Sequence, residues 1–177
     1  MSPFSLRVMS LQFVLAILCC GFQTTVWPNL FGSIQMPQFW LPWILFLSLH
    51  RPYFEALFMS YFFALIMLSF TSLSLQMIWP TFLVLVSAAA FAKNKFFWPG
   101  LRYFIPATGL CCLLWNVTLV GLSSTFEKSS APLLPITRVL EALLTTLASP
   151  LIYGALIRLE KLRPVDSAKA TVREVSA

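Results

Sequence analysis

Residues 73–92 read LSLQMIWPTFLVLVSAAAFA, a run without a single charge that is closed by Lys93-Asn94-Lys95. A helix crossing the hydrocarbon core of a bilayer needs about 20 mainly apolar residues, so this stretch predicts a membrane span. Working outward, the pattern repeats. Tyr53–Phe70 predicts the preceding span, joined to it through Thr71-Ser72. That link is short and uncharged, so the two helices must form a tight antiparallel hairpin. Ser33–His50 predicts a short span ended by Arg51-Pro52, with Pro37 near its start and Pro42 inside it. Two prolines so close predict a kinked or partly re-entrant segment, tolerated where neighbours satisfy the freed carbonyls. Val8–Trp27 predicts the first span, closed by Pro28-Asn29. Its Arg7 and apolar run resemble a signal peptide, but no Ala-x-Ala-like site follows, so it reads as a retained helix. Pro99–Ser123 and Pro135–Leu159 predict the last two. The expectation is an all-α polytopic protein: one six-helix transmembrane domain over residues 1–162, then a short polar tail over 163–177.

Composition agrees. The chain is 59% hydrophobic and 10% charged, with mean hydropathy +0.83. Soluble domains carry about 25% charged residues because their surface faces water. Here the charges are too few to coat a globule, and the surface must face lipid.

The basic residues predict orientation, because Lys and Arg translocate poorly. One side collects Arg7, Arg51, Lys93, Lys95, Arg102, Arg158, Lys161, Arg163, Lys169 and Arg173, while the other holds only Lys128 and Arg138. The bias is the same at every connection and predicts both termini in the cytoplasm. It also accounts for the net charge of +6 without invoking nucleic acid. Trp27 and Trp98 fall at helix ends, and Trp40, Trp43 and Trp79 lie within about two turns of one, positions that suit an interfacial aromatic belt. Helix packing competes for the last three and is the better reading for the more central Trp115.

Few residues offer chemistry. The cysteines form two vicinal pairs, Cys19-Cys20 and Cys111-Cys112, inside apolar runs. With one histidine, His50, they match neither a disulfide framework nor a zinc spacing, and they read as small packing residues. No cofactor or metal site is expected. Intramembrane ionisable groups are where function is sought first. Glu55, in the first turn of the third predicted helix, reads as a solvated carboxylate complementing the helix N-terminus. Arg138 and Glu141, three apart near the outer end of the last helix, share a face and can pair. They make either an interfacial ion pair or a docking or ligand site. Asn116, with Thr118, is the most polar point in the outer half of the fifth helix, and its amide can bond across helices at roughly 1 kcal/mol. A proton pump would want a buried carboxylate near mid-bilayer and a channel a charged ring or carbonyl filter, and neither is found. No nucleophile–base pair or phosphate loop appears, so the expectation is non-enzymatic.

Three stretches carry a resemblance to a known family. Pro37-Gln38-Phe39-Trp40-Leu41-Pro42-Trp43-Ile44-Leu45-Phe46-Leu47-Ser48-Leu49-His50-Arg51 has a proline opening an aliphatic and aromatic helix that ends in a basic turn. Ser69-Phe70-Thr71-Ser72-Leu73-Ser74 is a Ser/Thr-rich hairpin turn, and Ala148-Ser149-Pro150-Leu151-Ile152-Tyr153 runs into Arg158-Leu159-Glu160-Lys161. In these features, over about Leu11 to Leu162, the chain resembles MreD, the small polytopic member of the bacterial rod-shape (elongasome) machinery. It departs where the family has a Gly-rich third helix with an acidic residue, since Met67 stands about where that acid falls. The resemblance implies an inner-membrane scaffold that binds MreC, a single-span protein linked to the elongation synthase and transpeptidase, and that works alongside MreB filaments. The family is also similar in fold to the six-helix substrate-binding subunits of energy-coupling vitamin transporters. That alternative needs a polar-lined cavity, to which Arg138, Glu141, Asn116, Thr118 and Gln76 would have to converge. For a scaffold, Ser87-Ala88-Ala89-Ala90 is the local candidate for close approach of a partner helix through Ala88, with ordinary packing inside the bundle as the competing reading.

Overall fold

The structure is a computed structural model and describes residues 3–32, 34–71, 73–96, 100–126 and 135–161. It is all helical, with no strand among the described residues. In chain order the helices are α1 (Pro3–Gly21), which passes through a π-helical turn (Phe22–Val26) into α2 (Trp27–Phe31), then α3 (Leu41–His50), α4 (Tyr53–Met67), α5 (Leu75–Phe96), α6 (Leu101–Phe126) and α7 (Pro135–Glu160). Four stretches, Val8–Phe31, Leu75–Lys95, Leu101–Phe126 and Pro135–Glu160, are long and apolar enough to cross a membrane. These are the dimensions of a multi-pass membrane protein. Large apolar side chains such as Phe54, Phe58, Leu110, Val117, Leu147 and Leu151 point outward, as a surface in lipid allows.

The two remaining helices are short. α3 has 10 residues, ~15 Å at 1.5 Å per residue, or half the thickness of a hydrocarbon core. Every residue from Leu41 to Leu49 is buried, because a helix apolar on all sides has no face to give to water and is most stable when enclosed. It packs against α4, α5, α6 and α7 as the axis of the bundle. The expectation of a helix from Ser33 is corrected: Gln35–Gln38 is non-helical and helix begins only at Leu41. Pro37 disfavours helical geometry at Met36, whereas Pro42 sits in the first turn of α3, where its missing N–H costs nothing. At the other end Pro52 keeps Arg51 extended, at φ −116° and ψ 161°, so α3 stops there and α4 starts afresh.

Other bounds shift less. Pro28 does not end the first helix but lies in the first turn of α2. α4 stops at Met67 and turns through Phe70, and α5, α6 and α7 run to Phe96, Phe126 and Glu160. Pro150 interrupts α7 without breaking it: the hydroxyl of Ser149 donates to the Thr146 carbonyl, which the proline leaves without its helical donor, at 2.8 Å. α6 and α7 meet closely at Gly109, where a Cβ would stand 2.7 Å from Thr146 Oγ1. The tail 163–177, Lys128 and Trp98 lie outside the described residues.

The core is aromatic. Trp40, Trp43 and Trp115 are buried with Phe63, Phe82 and Phe104, and Trp40 sits edge-on to Trp115 at 4.8 Å and to Phe82 at 5.5 Å. Trp40 and Trp43 therefore do not join an interfacial belt, because the short buried α3 carries them into the centre. Trp115 packs as expected. Trp79 is partly exposed, and Trp27 donates its ring N–H to the Ile34 carbonyl at 3.2 Å. All four cysteines are free thiols, with Cys20 and Cys112 buried in the core.

Candidate functional site

Polar side chains gather at the two ends of α7. At the Arg138 end, Arg138 Nη1 donates to Glu141 Oε2 at 3.2 Å, the pairing that their spacing predicts. The other carboxylate oxygen accepts a short hydrogen bond from the side-chain amide of Gln38. Thr145, one turn on, accepts from the backbone N–H of Gln38 at 2.9 Å and donates to the Glu141 carbonyl at 2.7 Å. The thiol of Cys112 on α6 also approaches Thr145 Oγ1, at 3.9 Å. The unwound segment before α3 is thus pinned to α7 through one residue, Gln38, which the sequence reading had not singled out. Its only sequence signal is a long polar side chain directly after Pro37.

Asn116 reaches this network from α6 but bonds within its own helix, donating to the Cys112 carbonyl at 3.1 Å and approaching its sulfur at 3.8 Å. Among the described residues it makes no hydrogen bond across helices. Of the five residues proposed to converge, Arg138 and Glu141 pair directly, and Asn116 is linked to them only through Cys112 and Thr145. Thr118 bonds back to Leu114 and Trp115 on its own helix, and Gln76 is exposed on α5.

Beside Arg138 lies a cavity of about 250 Å³, just below the several hundred Å³ usual for a small-molecule pocket. Its floor is buried and mostly apolar: Cys20, Gln38, Trp40, Met67 and Trp115. Its rim is more polar and includes Gln23, Thr24, Thr71 and Arg138. Met67 therefore lies on the cavity floor. The π-helical turn supplies Gln23 and Thr24, and Met36, Gln38 and Trp40 come from the non-helical entry to α3. The Oε1 atoms of Gln23 and Gln38 and Oδ1 of Asn116 are buried without a hydrogen-bond partner among the described residues.

At the Glu160 end, Arg51 is 3% exposed and its Nη2 spans both Glu160 oxygens at 3.1 and 3.2 Å, with Glu160 itself 26% exposed. Gln12 of α1 donates to Glu160 at 2.9 Å, and Lys93 of α5 donates to the Arg51 carbonyl at 3.3 Å. Arg51, which the sequence analysis counts only toward orientation, is buried in an ion pair. The Glu160–Gln12 contact has no sequence signal, because its partners are 148 residues apart.

Ala88 is half-buried on α5, beside Ser87, whose hydroxyl meets the Tyr53 hydroxyl at 3.1 Å, and Ala89, which packs in the core. Glu55 is half-buried in the first turn of α4. No group of His, Cys, Asp and Glu suited to a metal ion occurs among the described residues. Compared with protein-family models, with curated proteins and with solved structures, the chain matches none.

Proposed function

We propose that the chain is a non-enzymatic scaffold of the bacterial inner membrane, of the MreD type, with six spans and both termini in the cytoplasm. In this reading it supports cell shape and peptidoglycan elongation by binding an MreC-like single-span protein, and through it the elongation synthase and transpeptidase, with MreB engaged indirectly. The observation that supports it best is α3, a proline-opened apolar helix closed by His50-Arg51 and enclosed by its neighbours. Tyr153 of the resembling α7 stretch packs against Phe46 of α3 and Phe104 of α6, so two of the three resembling stretches meet in the core.

A scaffold helix recognises another through shape and close packing, and Ala88 is the position proposed for that contact. The test is a pull-down of the tagged chain in mild detergent with the co-purifying proteins identified by mass spectrometry. The expected result is enrichment of an MreC-like protein and the elongation synthase, lost on Ala88→Leu or Ala88→Phe. Unchanged capture by those variants counts against the Ala88 interface, and absence of both partners counts against the scaffold.

The cavity favours a second reading, a small-molecule-binding subunit of an energy-coupling transporter. Polar groups near one end of the bundle around a ligand-sized space are what that class requires. Enrichment of a paired-ATPase module in the same pull-down would move the chain to that class.

A further inference from the structure

We infer that the cavity at the Arg138 end binds a small amphipathic carboxylic acid, with its carboxylate on the Arg138 guanidinium and its apolar body on the floor formed by Met67 and Trp115. The inference deepens the second reading above, whose cavity it uses, by naming the class of ligand.

The first support is the backbone. Non-helical chain at membrane depth is tolerated only where protein buries it or where it lines a cavity. The entry to α3 does both: Pro37 and Gln38 are buried, and Met36, Gln38 and Trp40 line the cavity. Across from it, the first helix widens into a π-helical turn at Phe22–Val26, a departure that concentrates at functional sites. That turn places Gln23 and Thr24 on the rim. Two independent irregularities of otherwise regular helices therefore face one space.

The second support is charge. Glu141 is 6% exposed at its side chain, and both of its oxygens are engaged, by Gln38 and by Arg138. Its negative charge is spent inside the wall. Arg138, 36% exposed and on the rim, is the charge that the cavity sees. A guanidinium has five N–H donors, and among the described residues only Nη1 has a protein partner. Its planar fork matches a carboxylate in a two-bond arrangement. Below it, the floor carries one polar side chain, Gln38, and is otherwise formed by Cys20, Trp40, Met67 and Trp115, which suit a compact apolar body.

A phospholipid is the competing occupant, since its phosphate could meet Arg138. The space suited to hydrocarbon tails is a second groove of about 630 Å³ beside the π-helical turn, lined by Leu18, Phe22, Val26 and Phe39 among others, and not the cavity itself.

The test titrates the full-length chain in detergent with 4-iodobenzoate and with 4-iodobenzamide, following tryptophan emission. Iodine at the floor quenches Trp40 and Trp115. Saturable quenching by the acid is expected, with the amide about tenfold weaker, the size of one charge-assisted hydrogen bond. Arg138→Gln should remove that preference, and Thr24→Phe, which fills the rim from an exposed position, should abolish saturation by both probes. Non-saturable quenching, equal affinity for acid and amide, or indifference to Thr24→Phe overturns the inference. So does a stoichiometric co-purifying phospholipid that the acid does not displace and that Arg138→Gln releases. Should either variant fail to fold, the acid–amide comparison in the native chain decides alone. Acid binding without a paired ATPase in the pull-down leaves the site standing and removes the transport reading, and the converse result does the opposite.

Discussion

The two ends of α7 each carry an Arg–Glu pair, built in opposite ways. Arg138 and Glu141 are one turn apart on the same helix, so holding them together fixes no tertiary structure, and the arginine stays open to the cavity. Arg51 and Glu160 are 109 residues apart. Their contact ties the α3–α4 corner to the end of α7, and Gln12 and Lys93 bring in α1 and α5. The local pair leaves a cation available for binding, whereas the distant pair encloses its cation and consumes it in structure. Chemical identity alone does not separate the two; sequence distance and burial do.

The comparison breaks most sharply at Glu160. Glu160→Ala leaves Arg51 buried without its counter-charge and should cost about 3 kcal/mol, read as a lowered unfolding midpoint in detergent. The double change Arg51→Met with Glu160→Leu should recover most of that loss, because it removes the stranded charge along with the bond. If the single variant unfolds like the native chain, the Glu160 end is not a tie.

At the Arg138 end the structural role lies one layer below the ion pair, in Thr145. Thr145→Val keeps the shape but leaves the Gln38 N–H buried without an acceptor, and about 2 kcal/mol of destabilisation is expected by the same measurement. The smallest effect belongs to Arg138→Gln. The guanidinium removed is 36% exposed and screened by solvent, and Gln38 still donates to the buried Glu141 carboxylate, so the loss should be about 1 kcal/mol, diminishing further with added salt. A loss as large as that at Glu160 would erase the distinction between the two ends.

Much of the fold was legible, and for a physical reason. The four long apolar runs show in the sequence because lipid selects for uninterrupted apolar surface, and Arg138 with Glu141 was legible because helical spacing fixes their contact. The course of α3 was legible only in part. Pro37 and Pro42 announced an irregularity, but hydropathy cannot distinguish a helix facing lipid from one enclosed by protein, since both are apolar on every side. That ambiguity left Trp40 and Trp43 open between an interface and the core. Gln12, Gln23 and Gln38 were passed over because each is a single amide in an apolar run, and what matters about each is a residue or a space reached only after folding. The Arg51–Glu160 pair was not legible for a related reason: the rule that reads a side of the membrane from basic residues describes insertion and says nothing of the partner a side chain finds after folding.

Enclosure of α3 also carries a consequence for biogenesis. The ribosome delivers α3 before any of the four helices that surround it. At half the thickness of the membrane's interior, with an unwound lead, it is a poor candidate to be released sideways into lipid by itself. Its first stable surroundings exist only when α5, α6 and α7 have followed, so insertion of the middle of this chain is an act of assembly and not of partitioning. Truncation after α4 would strand that segment, and the cell's quality-control proteases would meet it before any partner could.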